Sequence, residues 1–441
     1  MLKKIYILIL ISLVSCSKAI DDNAVYVPDY HSSTIDVNCK YQMLPLPCES
    51  DNSIVTIEEK INSDENETHY YFVKITSNGE KITKEFQINW DFEFITDTEI
   101  STEIMDEVKE RTRQFSFRLL GLYNHNRFRQ TQQGDYLFSM TDTYDDDFCV
   151  NNLLCIIKFD KDGNILFAIA HSMVDFTKKQ YLSEAITPLY DGGCAVICQA
   201  PESDDDDSYY DDDTPKATEF VIKSYDSNGK YKSETALETD KNQPFIRDIL
   251  NVNDSYFIYI DNELSVYDLD GHMKKTTEIN NNNYSNAFIK DGKYILLYGD
   301  TSYEKYMVAI FDSDGNILSN INLNENKTGA TFVYSATTID GATMLTGYAL
   351  NESRWDANLL DYSYYTESRG VALLERNNTF EYHEIKSANA ITIFAIIQKP
   401  DGTYTIYYDD IDYLTGWLNK ISIYNTDNLE PLYYKQEQNG N

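Results

Sequence analysis

The amino-acid sequence predicts an all-β protein built from repeated four-stranded antiparallel sheets, and three observations carry that prediction. A hairpin signature recurs down the chain and is clearest at 155–170, CIIKFDKDGNILFAIA. A second tight turn precedes each copy and opens an apolar strand. Tyrosine is abundant, with 36 residues against 20 Phe and 3 Trp, and a ring with a polar tip suits strands whose faces or edges meet water.

In the clearest copy an apolar run ends at Phe159, the chain reverses through Asp160-Lys161-Asp162-Gly163-Asn164, and a second run starts at Ile165. Asp160 can accept hydrogen bonds from backbone N–H groups ahead of it, and Gly163 supplies the left-handed conformation that closes a three-residue hairpin with a bulge. Aligned on Gly163, the other copies are Thr76-Ser77-Asn78-Gly79, Asp226-Ser227-Asn228-Gly229, Asp268-Leu269-Asp270-Gly271, Asp312-Ser313-Asp314-Gly315, Glu375-Arg376-Asn377-Asn378 and Asn425-Thr426-Asp427-Asn428. The last two carry Asn, the residue that best tolerates the left-handed region after glycine.

The preceding turns are Asp51-Asn52, Gly134-Asp135, Asp191-Gly192-Gly193, Asn253-Asp254, Asp291-Gly292, Asp340-Gly341 and Asp401-Gly402. A further short strand lies upstream of most of them, so the unit is a meander of strands A to D that cannot bury both faces alone. Residues 38–436 hold seven such units of about 57 residues each, a period that means a β-propeller. Seven blades are preferred. Six remain the alternative, with 38–92 then forming a small separate β domain. Residues 91–113 fit the repeat badly: Ile100, Ile104 and Val108 recur at helical spacing after a Thr98 or Ser101 cap, which predicts an inserted helix near 98–112.

The blade pattern, Asp-Gly-Gly, apolar strand, variable loop, then Phe/Tyr-Asp-x-Asp/Asn-Gly-Asn-Ile-Leu, resembles the repeat of secreted bacterial β-propellers of the Bacteroidetes type. That resemblance implies the fold. It implies no activity, because such propellers bind or catalyse very different things.

The first residues suggest a cellular address. Lys3 and Lys4 precede an apolar run, Ile5 to Val14, too short to span a bilayer and flanked as in a secretory signal. Leu13-Val14-Ser15-Cys16 resembles the lipobox of bacterial lipoproteins, which implies cleavage before Cys16 and its acylation with chains such as palmitate. On this reading 1–15 are a signal peptide, 16–37 a lipidated tether, 38–436 the propeller and 437–441 a tail. The protein would be lipid-anchored in the outer membrane, facing the periplasm or the cell surface. An ordinary signal peptide with a chance cysteine is the alternative. A net charge of -35 excludes a nucleic-acid partner, which needs a basic face.

Of the 7 cysteines, six remain beside Cys16, in an exporting context that permits disulfides. Cys39 and Cys48 flank a Pro-containing segment and are the expected pair. Cys194 and Cys198 sit four apart on one strand, about 13 Å between Cα atoms and too far to bridge. Cys155, Cys194 and Cys198 also read as small buried core residues.

Almost all irregular length falls in the B-to-C connections, at 62–68, 141–152, 199–217, 300–306, 350–370 and 409–418. Variable loops on a rigid scaffold are where binding usually sits. They offer Trp355, Tyr362, Tyr364 and Tyr365 with Asp356 and Asp361; Asp409, Asp410, Asp412, Tyr413 and Trp417; and Tyr144 with Asp145. Rings beside carboxylates suit a sugar, whose C–H faces stack and whose hydroxyls donate, and suit a cationic peptide equally well. The competing reading is solvated loop tips whose aromatics pack on neighbouring loops. Asp204, Asp205, Asp206 and Asp207 offer the hard oxygens that Ca²⁺ takes, although acidic runs also stay solvated; no other cofactor is expected. The 6 histidines show no metal spacing and no nucleophile elbow is present. The leading expectation is a lipid-anchored envelope propeller that binds a glycan or protein partner. Alternatives are a polysaccharide hydrolase or lyase with carboxylates at the central channel, and a structural subunit of an outer-membrane complex.

Overall fold

Runs rich in Val, Ile, Tyr and Phe, punctuated by Asp, Asn and Gly, fold in the computed structural model of this chain into seven radially arranged antiparallel sheets. The structure describes residues 33–432 apart from 41–44, 63–66, 87–92, 96–127, 143–152, 173–181, 202–217, 239–245, 261, 280–282, 300–305, 324–330, 351–353, 357–360, 364–367, 386–391 and 410–416. The region of the expected helix near 98–112, Cys16 and the Asp204–Asp207 run lie outside the described residues.

Strand β1 (Ser33–Lys40) belongs to the last sheet. Blade 1 comprises β2 (Leu46–Cys48), β3 (Ser53–Asn62), β4 (Glu67–Thr76) and β5 (Lys81–Phe86). Next come β6 (Glu93–Ile95) and blade 2, formed by β7 (Phe128–Gln130), β8 (Tyr136–Asp142), β9 (Leu153–Phe159) and β10 (Ile165–Ser172). β6 pairs in parallel with β10, an added outer strand that the repeat pattern does not foretell. Blade 3 is β11 (Leu182–Pro188), β12 (Cys194–Pro201), β13 (Thr218–Tyr225) and β14 (Tyr231–Ala236). Blade 4 is β15 (Ile246–Val252), β16 (Ser255–Ile260), β17 (Glu263–Asp268) and β18 (Met273–Glu278). Blade 5 is β19 (Asn283–Lys290), β20 (Lys293–Gly299), β21 (Tyr306–Phe311) and β22 (Ile317–Asn322).

Blade 6 pairs β23 (Thr331–Ile339) and β24 (Ala342–Leu350), and a small hairpin of β25 (Arg354–Asp356) and β26 (Asp361–Ser363) follows. β27 (Ser368–Arg376) and β28 (Thr379–Glu384) complete that blade. Blade 7 is β29 (Thr392–Gln398), β30 (Tyr404–Asp409) and β31 (Trp417–Thr426), and its fourth, outer strand is β1.

The turn chemistry is as expected. Gly79, Gly163, Gly229, Gly271 and Gly315 all have positive φ, as do Asn377 and Asn378. All seven A-to-B turns also place a residue in the left-handed region, Asn52, Gly134, Gly192, Asn253, Asp291, Asp340 and Gly402 among them. Gly163 carries a second constraint: a Cβ there would lie 2.4 Å from the Phe72 ring of blade 1. Glycine therefore serves both the reversal and the close approach of neighbouring blades.

The apolar residues fall into seven clusters, one in each seam between adjacent blades. Phe72, Phe86, Phe138 and Phe159 join blades 1 and 2. At the opposite end of the chain, Val37, Cys39, Phe394, Tyr407 and Ile423 of blade 7 pack on Ile54, Val73 and Ile75 of blade 1. The ring is thus closed twice, by a shared core and by the β1–β31 ladder. The six-blade alternative does not hold.

Three expectations are corrected. The final copy of the hairpin, Asn425-Thr426-Asp427-Asn428, does not reverse into a fourth strand; the chain passes into a 3₁₀ turn at Glu430–Leu432. The N-terminal strand already occupies that edge, so residues 33–37, assigned to the tether, are part of blade 7. The Cys39–Cys48 disulfide is absent, because the two cysteines belong to different sheets: Cys39 is on β1 in blade 7 and Cys48 on β2 in blade 1, both buried free thiols. Burial raises the Cys39 thiol to about 12, and Thr56 donates to its sulfur at 3.4 Å. Cys155, Cys194 and Cys198 are likewise buried, in line with their reading as core residues.

Candidate functional site

Successive antiparallel strands alternate in direction, so all A-to-B and C-to-D turns lie on one face and the B-to-C connections on the other. The turn face is made of self-sufficient reversals. Asp160 Oδ1 accepts the N–H groups of Asp162 and Asn164, both at 2.8 Å. Asp226, Asp268 and Asp312 repeat this pattern. The Asn316 side chain and then its backbone N–H hold the Asp312 carboxyl below its usual range. Asp268, Asp270 and His272 bring ligand atoms within 4.8 Å of one another, but the Asp268 carboxylate is already engaged by the turn, so hairpin chemistry accounts for these letters. The motif's final Asn has a use that sequence reasoning missed. Asn164 accepts from Lys84 of the preceding blade at 2.7 Å, and Asn316 accepts from Lys275 at 2.7 Å, each tying two blades together.

On the loop face, the structure describes the backbone of some of the residues expected to bind a ligand. Trp355 stands opposite Tyr362, and Asp356 opposite Asp361, in the β25–β26 hairpin inserted between β24 and β27. Trp417 opens β31 and pairs with Lys40 at the end of the closing strand. Asp409 ends β30 and is buried, so it belongs to the frame rather than to a loop tip. Tyr364, Tyr365, Asp410, Asp412, Tyr413, Tyr144 and Asp145 lie outside the described residues.

The ring also encloses a central cavity of about 970 Å³, walled by inner strands and reaching the A-to-B turns. Lys161 and Asp291 lie exposed at its rim, and its inner charges are engaged internally. Lys290 Nζ of blade 5 lies 3.0 Å from Glu49 Oε2 of blade 1, and Glu49 also accepts the Thr338 N–H of blade 6. Lys158 lies 3.0 Å from Asp135, and Lys74 2.9 Å from Asp162. Arg129 of blade 2 pairs with the buried Asp248 of blade 4, passing over blade 3. Glu49, Asp135, Asp160 and Asp162 line the cavity, each held by a cation or by backbone amides. The Glu49–Lys290 and Arg129–Asp248 contacts join separate blades across the ring.

No known family matches the chain, and no curated protein resembles it in sequence. Solved structures align with the chain at low similarity. A protein of unknown function from Bacteroides caccae aligns at 14% identity and TM-score 0.36, covering 71% of this chain and 88% of that one. The β-propeller domain of the Trilobed protease from Pyrococcus furiosus aligns at 8% identity and TM-score 0.43, covering 91% and 98%. The WD40 propeller domain of Doa1 aligns at 11% identity and TM-score 0.41, covering 92% and 97%. All are distant, and the fold assignment rests on the seven sheets themselves.

Proposed function

We propose that this protein is a lipid-anchored cell-envelope propeller that binds a glycan or a protein partner on its B-to-C loop face. The observation that carries the reading is the direction of β1. The strand starts at the turn face, where Ser33 pairs with Ile423 and a Cβ on Gly79 would lie 2.2 Å from the Ser33 hydroxyl oxygen. It ends toward the loop face, where Lys40 pairs with Trp417. An anchor at Cys16 would then be joined to the ring at its turn face, the side opposite the B-to-C loops. The aromatic and acidic positions of the β25–β26 hairpin supply stacking surfaces beside acceptors, the combination that a sugar or a cationic peptide needs.

A glycan array and a pull-down from envelope extract, run with the intact protein and with Trp355, Trp417 and Tyr365 changed together to Ala, test the reading. Binding should fall at least about tenfold, or about 1.4 kcal/mol, with the melting temperature unchanged. Binding that survives the triple change removes the loop face as the site.

A further inference from the structure

We propose that the central cavity is a second ligand site, separate from the loop face, which admits a short neutral saccharide from the turn face. The inner strands of blades 1 and 2, β2 and β7, have 3 residues each. Those of the other five blades have 7 to 9. All five, β11, β15, β19, β23 and β29, also carry a bulge, whereas β2 and β7 pair without one. The cavity's volume falls at the upper end of the roughly 300–1,000 Å³ usual for small-molecule sites.

The wall selects the chemistry. Every inner strand is the terminal strand of its sheet, so its second edge presents alternating N–H and C=O groups to the channel. A ligand there must both donate and accept, as hydroxyl groups do. The charges inside the cavity are paired, Glu49 with Lys290 and Arg129 with Asp248, and Lys161 and Asp291 stand exposed at its rim, so an ionic ligand seated inside would have to displace an internal partner and a neutral one would not. Half-buried Phe288 adds an apolar surface to the wall, and the exposed rim residues Ser50, Gln132 and Asn253 add adaptable polar groups.

The test is calorimetric titration of the full-length protein in detergent with cellobiose, maltotriose and N,N′-diacetylchitobiose, with triglycine as a peptide comparator. The rim variants Gln132→Trp and Ser50→Trp obstruct the mouth from exposed positions, and unchanged melting shows that they fold. At least one saccharide should bind, each rim variant should weaken it about tenfold or more, and the loop-face triple variant should leave it unaltered. The proposal is overturned if no saccharide binds at millimolar concentration, if only triglycine binds, or if saccharide binding is lost in the loop-face variant and kept in the rim variants. The last outcome would leave the loop-face reading standing, and loss of the loop-face reading would leave this site standing.

Discussion

Deleting residues 33–40 is expected to abolish the native ring rather than merely loosen it. Those eight residues form the outer strand of blade 7, and they bury Val37 and Cys39 in the cluster shared with blade 1. Asn38 donates its backbone N–H to Glu58 and its side-chain amide to the Glu59 carbonyl, at 3.2 and 2.8 Å. Lys81 reaches both the Asp36 carbonyl and the Glu58 carboxylate, at 2.7 and 2.6 Å. Each buried aliphatic side chain contributes about 1.5–3 kcal/mol, and Glu58, itself fully buried, would lose part of its compensation. The summed loss approaches the 5–15 kcal/mol that holds a typical protein folded. Urea titration followed by near-UV circular dichroism should show no cooperative transition for the deleted protein. A transition within about 1 kcal/mol of the parent would mean that β1 is dispensable.

Arg129→Met is expected to cost about 3–5 kcal/mol, because it leaves Asp248 as a buried anion without its cation. The Asp248 side chain is 1% exposed and that of Arg129 11%, so water cannot replace the lost partner. Asp248 Oδ1 also accepts the Ile249 N–H at 2.7 Å, which fixes the carboxylate and prevents it from turning away. The double variant Arg129→Met/Asp248→Leu should recover a large part of the loss, since removing both charges removes the desolvation cost. Chemical denaturation of the two single variants and the double variant gives the coupling directly. An Arg129→Met loss below about 1 kcal/mol would place the pair in effective contact with solvent.

The difference between what was legible in the residues and what was not has a physical basis. Positive φ admits few side chains, so Gly79, Gly163, Asn253 and Asn377 betray their turns to anyone reading the letters in order. β1 leaves no such mark. Its residues alternate, but its partner lies about 390 positions away with no turn between them, as the Thr34–Ser422 contact shows. The same distance undid the Cys39–Cys48 pairing: nine residues apart in sequence, they close opposite sides of the ring's seam. Lys84 and Lys275 look like ordinary strand lysines until the next blade brings Asn164 and Asn316 to them. The central cavity is walled by residues of six different blades, an arrangement no single motif carries. The loop-face residues were chosen for chemistry alone, and of these the strands place Trp355, Tyr362 and Trp417.

The ring closed by its N-terminal strand is the claim on which the anchoring geometry and the site assignments rest, and a cross-link tests it most directly. Thr34 and Ser422 are paired in register with their hydroxyl oxygens 3.3 Å apart, close enough for a disulfide. In the Thr34→Cys/Ser422→Cys protein, mild oxidation should form that one bond, seen as faster migration on a non-reducing gel and as a linked peptide by mass spectrometry. If both thiols stay free in the folded protein, or join other cysteines instead, β1 does not close the ring.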